Sequence, residues 1–247
     1  MSYKLKIDIN ADVGEGIGNE ESLMPYLSSC NIACGGHTGD FESMSIVVQL
    51  AKKYQVKIGA HPSFPDTLNF GRKVLDIKPL DLFDSLVSQV IDLNNIVEAE
   101  GLHLNHIKPH GALYNLAVND EKTAKVILNV VKSFPQPLKL YAPYKSVIAK
   151  LAKSKNIEVV FEGFADRNYN EDLSLISRQK KDALITNKEN VFKHVFKMVL
   201  EQKISTINEV EVELLVDTVC VHGDTENAYS ILEFLYYNLE ANNIKIL

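Results

Sequence analysis

Short apolar runs and longer segments with helical periodicity alternate along most of the chain. The apolar runs predict strands at residues 5–9, 31–34, 56–60, 106–108, 138–142, 157–161, 217–221 and 244–246. Apolar residues that recur at three- and four-residue intervals predict helices at residues 20–27, 41–54, 79–100, 121–134, 144–155, 187–202 and 225–242. Helices interposed this regularly indicate an α/β protein built on a parallel sheet.

Two of these helices carry clear boundary signals. Asp40 is a favourable N-cap for the helix that begins at Phe41, because its carboxylate can accept a hydrogen bond from an unpaired backbone N–H. Pro79 suits the first turn of the next helix, where a backbone N–H has no partner in any case. Gly101 follows the last residue of that helix, as is typical of a helix C-terminus.

Polar, reactive side chains follow most of the predicted strands. They lie in the segments Asp8–Asp12, Cys34–His37, Gly59–Pro62, Lys108–Gly111, Glu162, Ala165–Arg167 and His222–Asp224. In a barrel of alternating strands and helices, residues just past the strand ends converge on one face. An open, doubly wound sheet would instead concentrate its site at one switch point, so this distribution favours a closed barrel. Because the 247 residues contain no Gly/Ser/Pro-rich linker, we expect residues 1–247 to form a single barrel domain.

Composition and charge narrow the functional classes. Hydrophobic residues make up 46% of the chain and charged residues 23%, as in globular proteins. The formal net charge of −6 argues against nucleic acid as the main partner. No apolar stretch approaches the roughly 18 residues of a membrane span, so we expect no membrane partner. The N-terminal residues show no signal-peptide pattern and the three cysteines suggest no disulfide framework, so we expect a cytoplasmic protein.

The first strand carries three candidate site residues. Asp8 and Asn10 lie on one side of this strand, because side chains alternate with a period of two, so a carboxylate and an amide would enter the cleft together. Asp12 would serve either in the site or as the cap of a turn. The glycine-rich residues 14–18 match neither a P-loop nor a dinucleotide-binding motif, so a tight turn or flexible lid explains them as well as phosphate binding does.

Four histidines follow predicted strands: His37, His61, His110 and His222. Histidine acts as a general acid, a general base or a metal ligand near neutral pH, and its repetition at equivalent barrel positions indicates a shared function. Together with Asp8 or Asp166, these histidines would suit a divalent hydrolytic metal. Asp8, His37 and His61 are the candidate ligands, although the sequence contains no HExxH or CxxC spacing and leaves open whether a metal is bound.

Further charged residues offer binding or catalysis. The Lys108 cation would hold a carboxylate or a phosphate in the cleft, and we expect it to face solvent there, so that its removal lowers activity but barely changes stability. Asp166 and Arg167 form either a carboxylate catalyst beside an anion-binding group or a surface ion pair. His222 and Asp224 form either an acid–base pair or, in the case of Asp224, the cap of a helix.

These motifs lie in six sequence segments. They are KIDINADVGEG, NIACGGHTGD, IGAHPSFPD followed by NFGR, HIKPHGALYN, FADRNY and TVCVHGD, and they span residues 6–224. In this order they resemble the LamB/YcsF family, and the resemblance covers nearly the whole chain. It implies a distorted, TIM-like (β/α)7-type barrel, similar to the barrels of glycoside hydrolases and sugar deacetylases.

The same resemblance implies ATP-dependent opening of the 5-oxoproline lactam to L-glutamate, with ADP and phosphate as the other products. The working enzyme would be a complex with the 5-oxoprolinase subunits B and C, and Mg²⁺ would accompany ATP. On residue chemistry, the catalytic candidates are Asp8, His61, His110, Asp166 and His222. The candidates for binding substrate or phosphate are Asn10, His37, Lys108 and Arg167.

Two other functions stay open. The chain could be a stand-alone, metal-dependent deacetylase or amidohydrolase that cleaves an amide without ATP. It could also be a non-catalytic, substrate-binding subunit whose partners perform the chemistry. The missing P-loop sequence slightly favours the latter, because the nucleotide would then lie mainly on a partner.

Overall fold

Ten strands, eight α-helices and a short 3₁₀-helix (Met24–Tyr26) form the regular structure of residues 5–178 and 180–247, the part of the chain that this computed structural model describes. The strands are β1 (Leu5–Val13), β2 (Ser29–Ala33), β3 (Lys57–His61), β4 (Leu104–Ile107), β5 (Lys139–Pro143), β6 (Val159–Phe164), β7 (Lys203–Ser205), β8 (Glu211–Glu213), β9 (Thr218–Cys220) and β10 (Ile244–Ile246). The helices are α1 (Glu20–Leu23), α2 (Phe41–Tyr54), α3 (Pro79–Ala99), α4 (Gly111–Ala117), α5 (Glu121–Ser133), α6 (Val147–Ser154), α7 (Lys188–Glu201) and α8 (Ala228–Ala241).

Seven parallel strands close into a barrel. Their order is β1–β2–β3–β4–β5–β6–β9, and β9 closes the ring by pairing with both β6 and β1. Strand β10 pairs with residues 5–7 of β1, ahead of the residues that pair with β9. Strands β7 and β8 form a separate antiparallel hairpin. The predicted (β/α)7-type barrel is therefore confirmed, and the closure through β9 excludes the open sheet.

The helix boundaries follow the local signals in the sequence. Helix α2 begins after Asp40, whose carboxylate accepts from the backbone N–H of Ser43 while the Ser43 hydroxyl accepts from the N–H of Asp40. Helix α3 begins at Pro79 and ends just before Gly101, which has a positive φ of 72°. None of the helices described here combines the length and apolar character that a membrane span requires.

Several strands extend further than the apolar runs predicted. Strand β1 reaches Val13, β3 includes His61, and β6 includes Glu162. The expectation that these polar residues lie past the strand ends was therefore wrong. Polar side chains that face the barrel interior interrupt the apolar run by which a strand is recognised, so the run ends before the strand does.

Two elements were not predicted at all. Helix α4 has seven residues, which is too short for a helical period to show in the sequence. The β7–β8 hairpin has strands of three residues each, in the loop region between α7 and β9. Helix α4 matters for the site, because it carries Tyr114.

The inner surface of the barrel is polar, although bulky branched side chains are typical inside (β/α) barrels. In β1, Ile7 and Ile9 belong to the hydrophobic core, whereas Asp8, Asn10 and Asp12 alternate with them and contact side chains from other barrel strands. All three polar residues are buried. Burying polar groups is costly unless they are hydrogen-bonded, so the fold depends on the partners they find.

Asparagine side chains form the centre of this interior network. Nδ2 of Asn31 donates to Oδ1 of Asn10 and to Oδ1 of Asp12, both at 2.8 Å. Nδ2 of Asn10 donates to Oε1 of Glu162 at 3.0 Å and to the Thr218 hydroxyl at 2.8 Å. Nε2 of His106 lies 2.7 Å from Oδ1 of Asn31. These contacts link β1, β2, β4, β6 and β9 across the barrel.

Gly59 leaves the space that the His106 ring occupies. A Cβ atom on Gly59 would lie 2.1 Å from Nε2 of His106, the atom that contacts Asn31. We predict that Gly59→Ala lowers the free energy of unfolding by about 1–3 kcal/mol, the usual cost of overpacking, in urea denaturation followed by circular dichroism. Gly59→Ala combined with His106→Ala is the control, since the clash is then absent. Strict additivity of the two single changes would contradict this account.

His194 in α7 introduces a pH dependence of stability. Burial lowers the pKa of its imidazole to about 4. An unfolded chain titrates histidine near about 6.5, so between these values the unfolded state binds more protons and stability rises with pH. The contribution is complete above roughly pH 6.5 and is lost as the pH falls towards about 4. We expect His194→Gln to flatten the slope of unfolding free energy against pH in this window, and an unchanged slope would exclude His194 as its source.

Candidate active site

A cleft of about 520 Å³ lies at the end of the barrel where the strand C-termini meet. Its lining includes Asp12, Glu15, His61, Lys108, His110, Tyr114, Glu162, Arg167 and His222. These residues come from β1, β3 and β6, from α4, and from segments that follow the strands. The sequence prediction that reactive side chains converge at one end of the barrel therefore describes most, but not all, of the candidates.

Lys108 lies at the floor of this cleft between two carboxylates. Its Nζ atom is 2.8 Å from Oδ1 of Asp12 and 2.9 Å from Oε1 of Glu162. The same atom is 3.2 Å from Sγ of Cys220 and 5.3 Å from the centre of the Phe164 ring. The side chain is only 2% exposed, so the expectation that this cation faces solvent was wrong. The small effect on stability that was inferred from solvent exposure therefore no longer follows. The apolar strand end before Lys108 carries its side chain into the barrel rather than out of it.

The charges in this group support one another. Burial alone would lower the pKa of the Lys108 ammonium, but the charge of Asp12 foremost, with Glu162, holds that pKa well above its ordinary value. Burial would likewise raise the pKa of Asp12, but His61 and Lys108 outweigh it and hold that pKa well below its ordinary value. Lys108 is therefore a fixed cation and Asp12 a fixed carboxylate at neutral pH. Asp12 lies within β1 and lines the cleft, so the alternative of a turn cap was wrong.

Glu162 is held by residues that reach it from three elements. Oε1 accepts from Lys108 and from Nδ2 of Asn10, and Oε2 accepts from the Tyr114 hydroxyl at 2.8 Å. Glu162 was visible in the sequence as a carboxylate at a strand end, but that position alone indicates no role. Tyr114 was missed with α4, although it lies within the conspicuous HIKPHGALYN segment.

Three of the predicted histidines form a cluster around Glu15. Nε2 of His37 is 3.0 Å from Oε1 of Glu15, and Nδ1 of His110 is 3.3 Å from the same atom. Nδ1 of His110 is also 3.0 Å from Nε2 of His61. Burial lowers the pKa of His37 to about 4, and contacts with His110 and His37 outweigh burial to lower the pKa of Glu15. Glu15 was missed because its glycine-rich segment showed only turn signals.

His222 pairs with Asp166 rather than with Asp224. Nδ1 of His222 is 2.8 Å from Oδ1 of Asp166, whose Oδ2 accepts from the backbone N–H of His222 and from the Thr225 hydroxyl. Burial would raise the pKa of Asp166, but the contact with His222 outweighs it and lowers the pKa. The alternative of Asp166 in a surface ion pair is wrong, because Asp166 is fully buried.

Asp224 lies at the rim of the cleft among arginines. Its Oδ2 atom is 3.0 Å from Nη2 of Arg72 and 2.7 Å from Nη1 of Arg178, so the expected helix cap and the expected pair with His222 were both wrong. Arg167 also lines the cleft, and its buried Nε has no hydrogen-bond partner among the described residues. Arg72 and Arg178 were missed because isolated arginines in loops carry no pattern.

Asp8 does not reach the cleft. Its Oδ1 atom accepts from the hydroxyls of Ser29 and Thr218, both at 2.7 Å, and Oδ2 is 3.3 Å from Nζ of Lys57, the first residue of β3. Asp8 therefore lies towards the N-terminal end of the strands, one inward-facing position below Asn10. Period-two alternation predicts the same side of the strand for both residues, but it does not predict depth. Because Asp8 lies below the cleft, the prediction that it acts there as a catalyst or a metal ligand was wrong.

The remaining candidates are distributed around the cleft. His61, Lys108, His110, Arg167 and His222 line it directly. Asn10, His37 and Asp166 lie behind that lining, in contact with Glu162, Glu15 and His222 respectively. Among the described residues, two groups bring possible metal ligands within 4.8 Å of one another. One consists of Glu15, His37, His61 and His110, and the other of Asp12, Cys220 and His222.

The fold and the site define a class of protein: a closed, parallel (β/α) barrel whose ionisable side chains gather in one cleft at the strand C-termini. The LamB/YcsF family matches residues 7–247. The chain therefore belongs to the LamB/YcsF family.

Individual proteins support this assignment. The chain is 39% identical to the A subunit of 5-oxoprolinase from Pyrococcus furiosus over 248 residues, which cover 98% of this chain and 97% of that protein. It is similar to the crystal structure of the lactam utilization protein from Thermus thermophilus, with a TM-score of 0.92 and 35% identity over 98% of this chain and 99% of that one. The family 4 carbohydrate esterase from Streptomyces lividans shares only the fold, with a TM-score of 0.53 and 9% identity over 99% and 93% of the two chains.

Removal of the Lys108 cation would leave the carboxylates of Asp12 and Glu162 buried without a counter-charge. We predict that Lys108→Met lowers the free energy of unfolding by about 3–5 kcal/mol, the usual cost of removing one partner from a buried ion pair. Lys125→Met is the matched control, because Lys125 pairs with Glu121 on the surface, where their side chains are 55% and 61% exposed. We expect that control to change the free energy of unfolding far less, because solvent screens an exposed ion pair. Equal, small losses in urea denaturation would contradict a structural role for the buried cation.

Proposed function

We propose that this chain is the A subunit of an ATP-dependent 5-oxoprolinase, which opens 5-oxo-L-proline to L-glutamate. Full-length similarity to a protein named as the A subunit of 5-oxoprolinase and to a lactam utilization protein supports this proposal. The observation that carries it is the cleft itself. Fixed charge on Lys108 and Asp12, the His222–Asp166 pair and several arginines face one space of a size suited to a small, anionic substrate.

The reaction needs ATP because a lactam carbonyl is a poor electrophile. In the proposed sequence, the γ-phosphoryl group of ATP moves to the lactam oxygen and ADP leaves. Water adds to the activated carbon and gives a proton to a base. The ring C–N bond then breaks as the nitrogen takes a proton, which leaves an acyl phosphate. A second water cleaves this acyl phosphate to the side-chain carboxylate of L-glutamate and phosphate.

His222 is the best-placed acid–base group for these proton transfers. Asp166 binds its Nδ1, which orients the ring and leaves Nε2 as the nitrogen available to the cleft. His61 and His110 are less suited to act as free bases, because each ring is engaged by a backbone carbonyl and by the other ring. Lys108 offers fixed positive charge where negative charge develops on the substrate oxygen.

The arginines at the rim are suited to the substrate anion. Guanidinium groups bind carboxylates and phosphates through paired hydrogen bonds. Arg72 and Arg178 share the single carboxylate of Asp224, and Arg167 has a buried Nε without a partner among the described residues. This group therefore carries more positive charge than Asp224 balances. In the proposal it holds the carboxylate of 5-oxoproline or the phosphoryl group during transfer.

ATP and the partner subunits complete the proposal. The sequence contains no P-loop, so ATP with its Mg²⁺ would be bound with the help of subunits B and C rather than by this chain alone. The three cysteines are all free and buried, which suits the reducing cytoplasm in which we place the complex.

A second candidate is a stand-alone, metal-dependent amidohydrolase. The observation that favours it is the cluster of Glu15, His37, His61 and His110, whose side chains are of the types that bind a hydrolytic metal. Such an enzyme would cleave an amide without ATP.

The third candidate is a non-catalytic, substrate-binding subunit. If the chain has this function, loss of the acid–base groups in the cleft has no effect on turnover by the complex.

Reconstitution separates the three candidates. We expect the isolated chain to release little or no glutamate from 5-oxoproline, and the mixture with B and C to release glutamate and ADP in an ATP-dependent reaction. Asp166→Asn should lower kcat of the mixture by about 10²–10⁴-fold, the usual contribution of acid–base catalysis, whereas His103→Gln, a change at an exposed histidine, should not. ATP-independent amide cleavage by the chain alone would support the amidohydrolase. Full activity of Asp166→Asn in the mixture would support the binding subunit.

A further inference from the structure

Four side chains from successive strand–helix units point towards one position beside the cleft. Glu15 follows β1, His37 follows β2, His61 ends β3 and His110 precedes α4. The three histidines are buried, at 1–5% exposure, and the side chain of Glu15 is 8% exposed. Glu15, His61 and His110 also line the cleft, so the position is reachable from it.

The distances within this cluster fit a tetrahedral shell of ligands. Zn²⁺ binds histidine nitrogen and carboxylate oxygen at about 2.0–2.2 Å, so ligand atoms at the corners of a tetrahedron lie roughly 3.3–3.6 Å apart. Oε1 of Glu15 is 3.0 Å from His37 Nε2, 3.3 Å from His110 Nδ1 and 3.9 Å from His61 Nε2. His110 Nδ1 and His61 Nε2 are 3.0 Å apart. These four distances lie on both sides of the distance expected between two ligand atoms of a tetrahedral site.

In two of the rings, the nitrogen that faces away from the cluster carries hydrogen, and this determines the protonation of the nitrogen that faces the cluster. Nδ1 of His61 is 2.7 Å from the carbonyl oxygen of Lys108, and Nε2 of His110 is 3.0 Å from the carbonyl oxygen of Phe70. A carbonyl only accepts, so both of these nitrogens carry hydrogen. When both imidazoles are neutral, the other nitrogen of each is an acceptor, so His61 Nε2 and His110 Nδ1 direct lone pairs at each other. A protonated His61 would instead donate from Nε2 to Oδ2 of Asp12, 3.3 Å away.

Three acceptor atoms thus lie close together: His61 Nε2, His110 Nδ1 and Oε1 of Glu15. Nε2 of His37 can donate to the Glu15 oxygen at 3.0 Å, but no donor lies between the two ring nitrogens. Only a cation makes this arrangement favourable. A single proton would lie between two of these atoms, whereas a metal ion would contact all three. The His37 ring is stacked on that of His110, with centroids 3.6 Å and planes 5° apart, so it would have to tilt to become the fourth ligand. The outward N–H groups that donate to backbone carbonyls are also the usual second contacts of metal-bound histidines, where they orient the ring.

We propose that Glu15, His37, His61 and His110 form a binding site for a divalent first-row transition-metal ion, of which Zn²⁺ is the representative. Imidazole is a preferred ligand of these ions, whereas Mg²⁺ and Ca²⁺ prefer oxygen. The proposal concerns binding alone and does not depend on turnover of 5-oxoproline. It differs from the expectation drawn from the sequence by replacing Asp8 with Glu15 and His110.

Metal binding by the full chain tests the proposal directly. Protein freed of metal with a chelator is titrated with Zn²⁺ in competition with a chromophoric chelator, and with Co²⁺ followed by its visible absorption. We expect one ion per chain and a Co²⁺ spectrum typical of four- or five-fold coordination. Glu15→Gln and His110→Ala should weaken Zn²⁺ binding by more than about 100-fold, beyond the usual effect of losing an outer-shell contact. His103→Ala, at the exposed histidine, should bind as the wild type does.

Two further readouts keep the test independent of variant folding. Zn²⁺ should raise the melting temperature of the wild type but not of Glu15→Gln, whose metal-free circular dichroism should match the wild type. In the Co²⁺-loaded wild type, strongly shifted, exchangeable proton NMR signals should report the N–H groups that donate to the carbonyls of Lys108 and Phe70. A wild type that binds no ion would overturn the proposal and leave a shared proton as the occupant. Unweakened binding in both Glu15→Gln and His110→Ala would also overturn it.

Discussion

A buried ammonium between two buried carboxylates is the interaction on which the interior of this barrel depends. Lys108 follows the end of β4 and contacts Asp12 on β1 and Glu162 on β6, with Cys220 of β9 beside it. Each of these charges would be costly alone in a dry interior, and each is stabilised by the others. The amides of Asn10 and Asn31 donate further hydrogen bonds to the two carboxylates. The same arrangement fixes charge at the floor of the cleft, so stability and site share one set of contacts.

Much of the fold follows from local sequence patterns and from the order in which strands and helices alternate. Helical periodicity, the Asp40 cap and Pro79 place the long helices, and the regular alternation of elements predicts parallel pairing. The elements that pattern could not reveal are the short ones, α4 and the β7–β8 hairpin, which contain too few residues for a period. Strand ends were also misplaced, because inward polar residues such as Glu162 break the apolar run inside the strand.

The candidate site was predictable in residue type but not in pairing or depth. Histidines near the ends of successive strands were expected to lie close together, because the strand C-termini lie at one end of a barrel. Which carboxylate each would meet depends on loop paths that a single sequence does not encode. His222 therefore pairs with Asp166 and not with the nearby Asp224. Glu15 contacts the histidines from a glycine-rich segment whose sequence indicated only a turn or lid. Asp8 was misjudged for another reason: alternation gives the face of a strand but not the level within the barrel.

The central claim is that the Lys108–Glu162 contact stabilises the barrel as a pair, and a double-mutant cycle measures that directly. Unfolding free energies of the wild type, Lys108→Met, Glu162→Gln and the double variant give the coupling between the two side chains. We predict a coupling of about 1–3 kcal/mol, with the double variant less destabilised than the sum of the single changes. Lys108→Met alone leaves the two carboxylates of Asp12 and Glu162 without their cation, whereas the double variant leaves only that of Asp12. Additivity within about 0.5 kcal/mol would contradict the account.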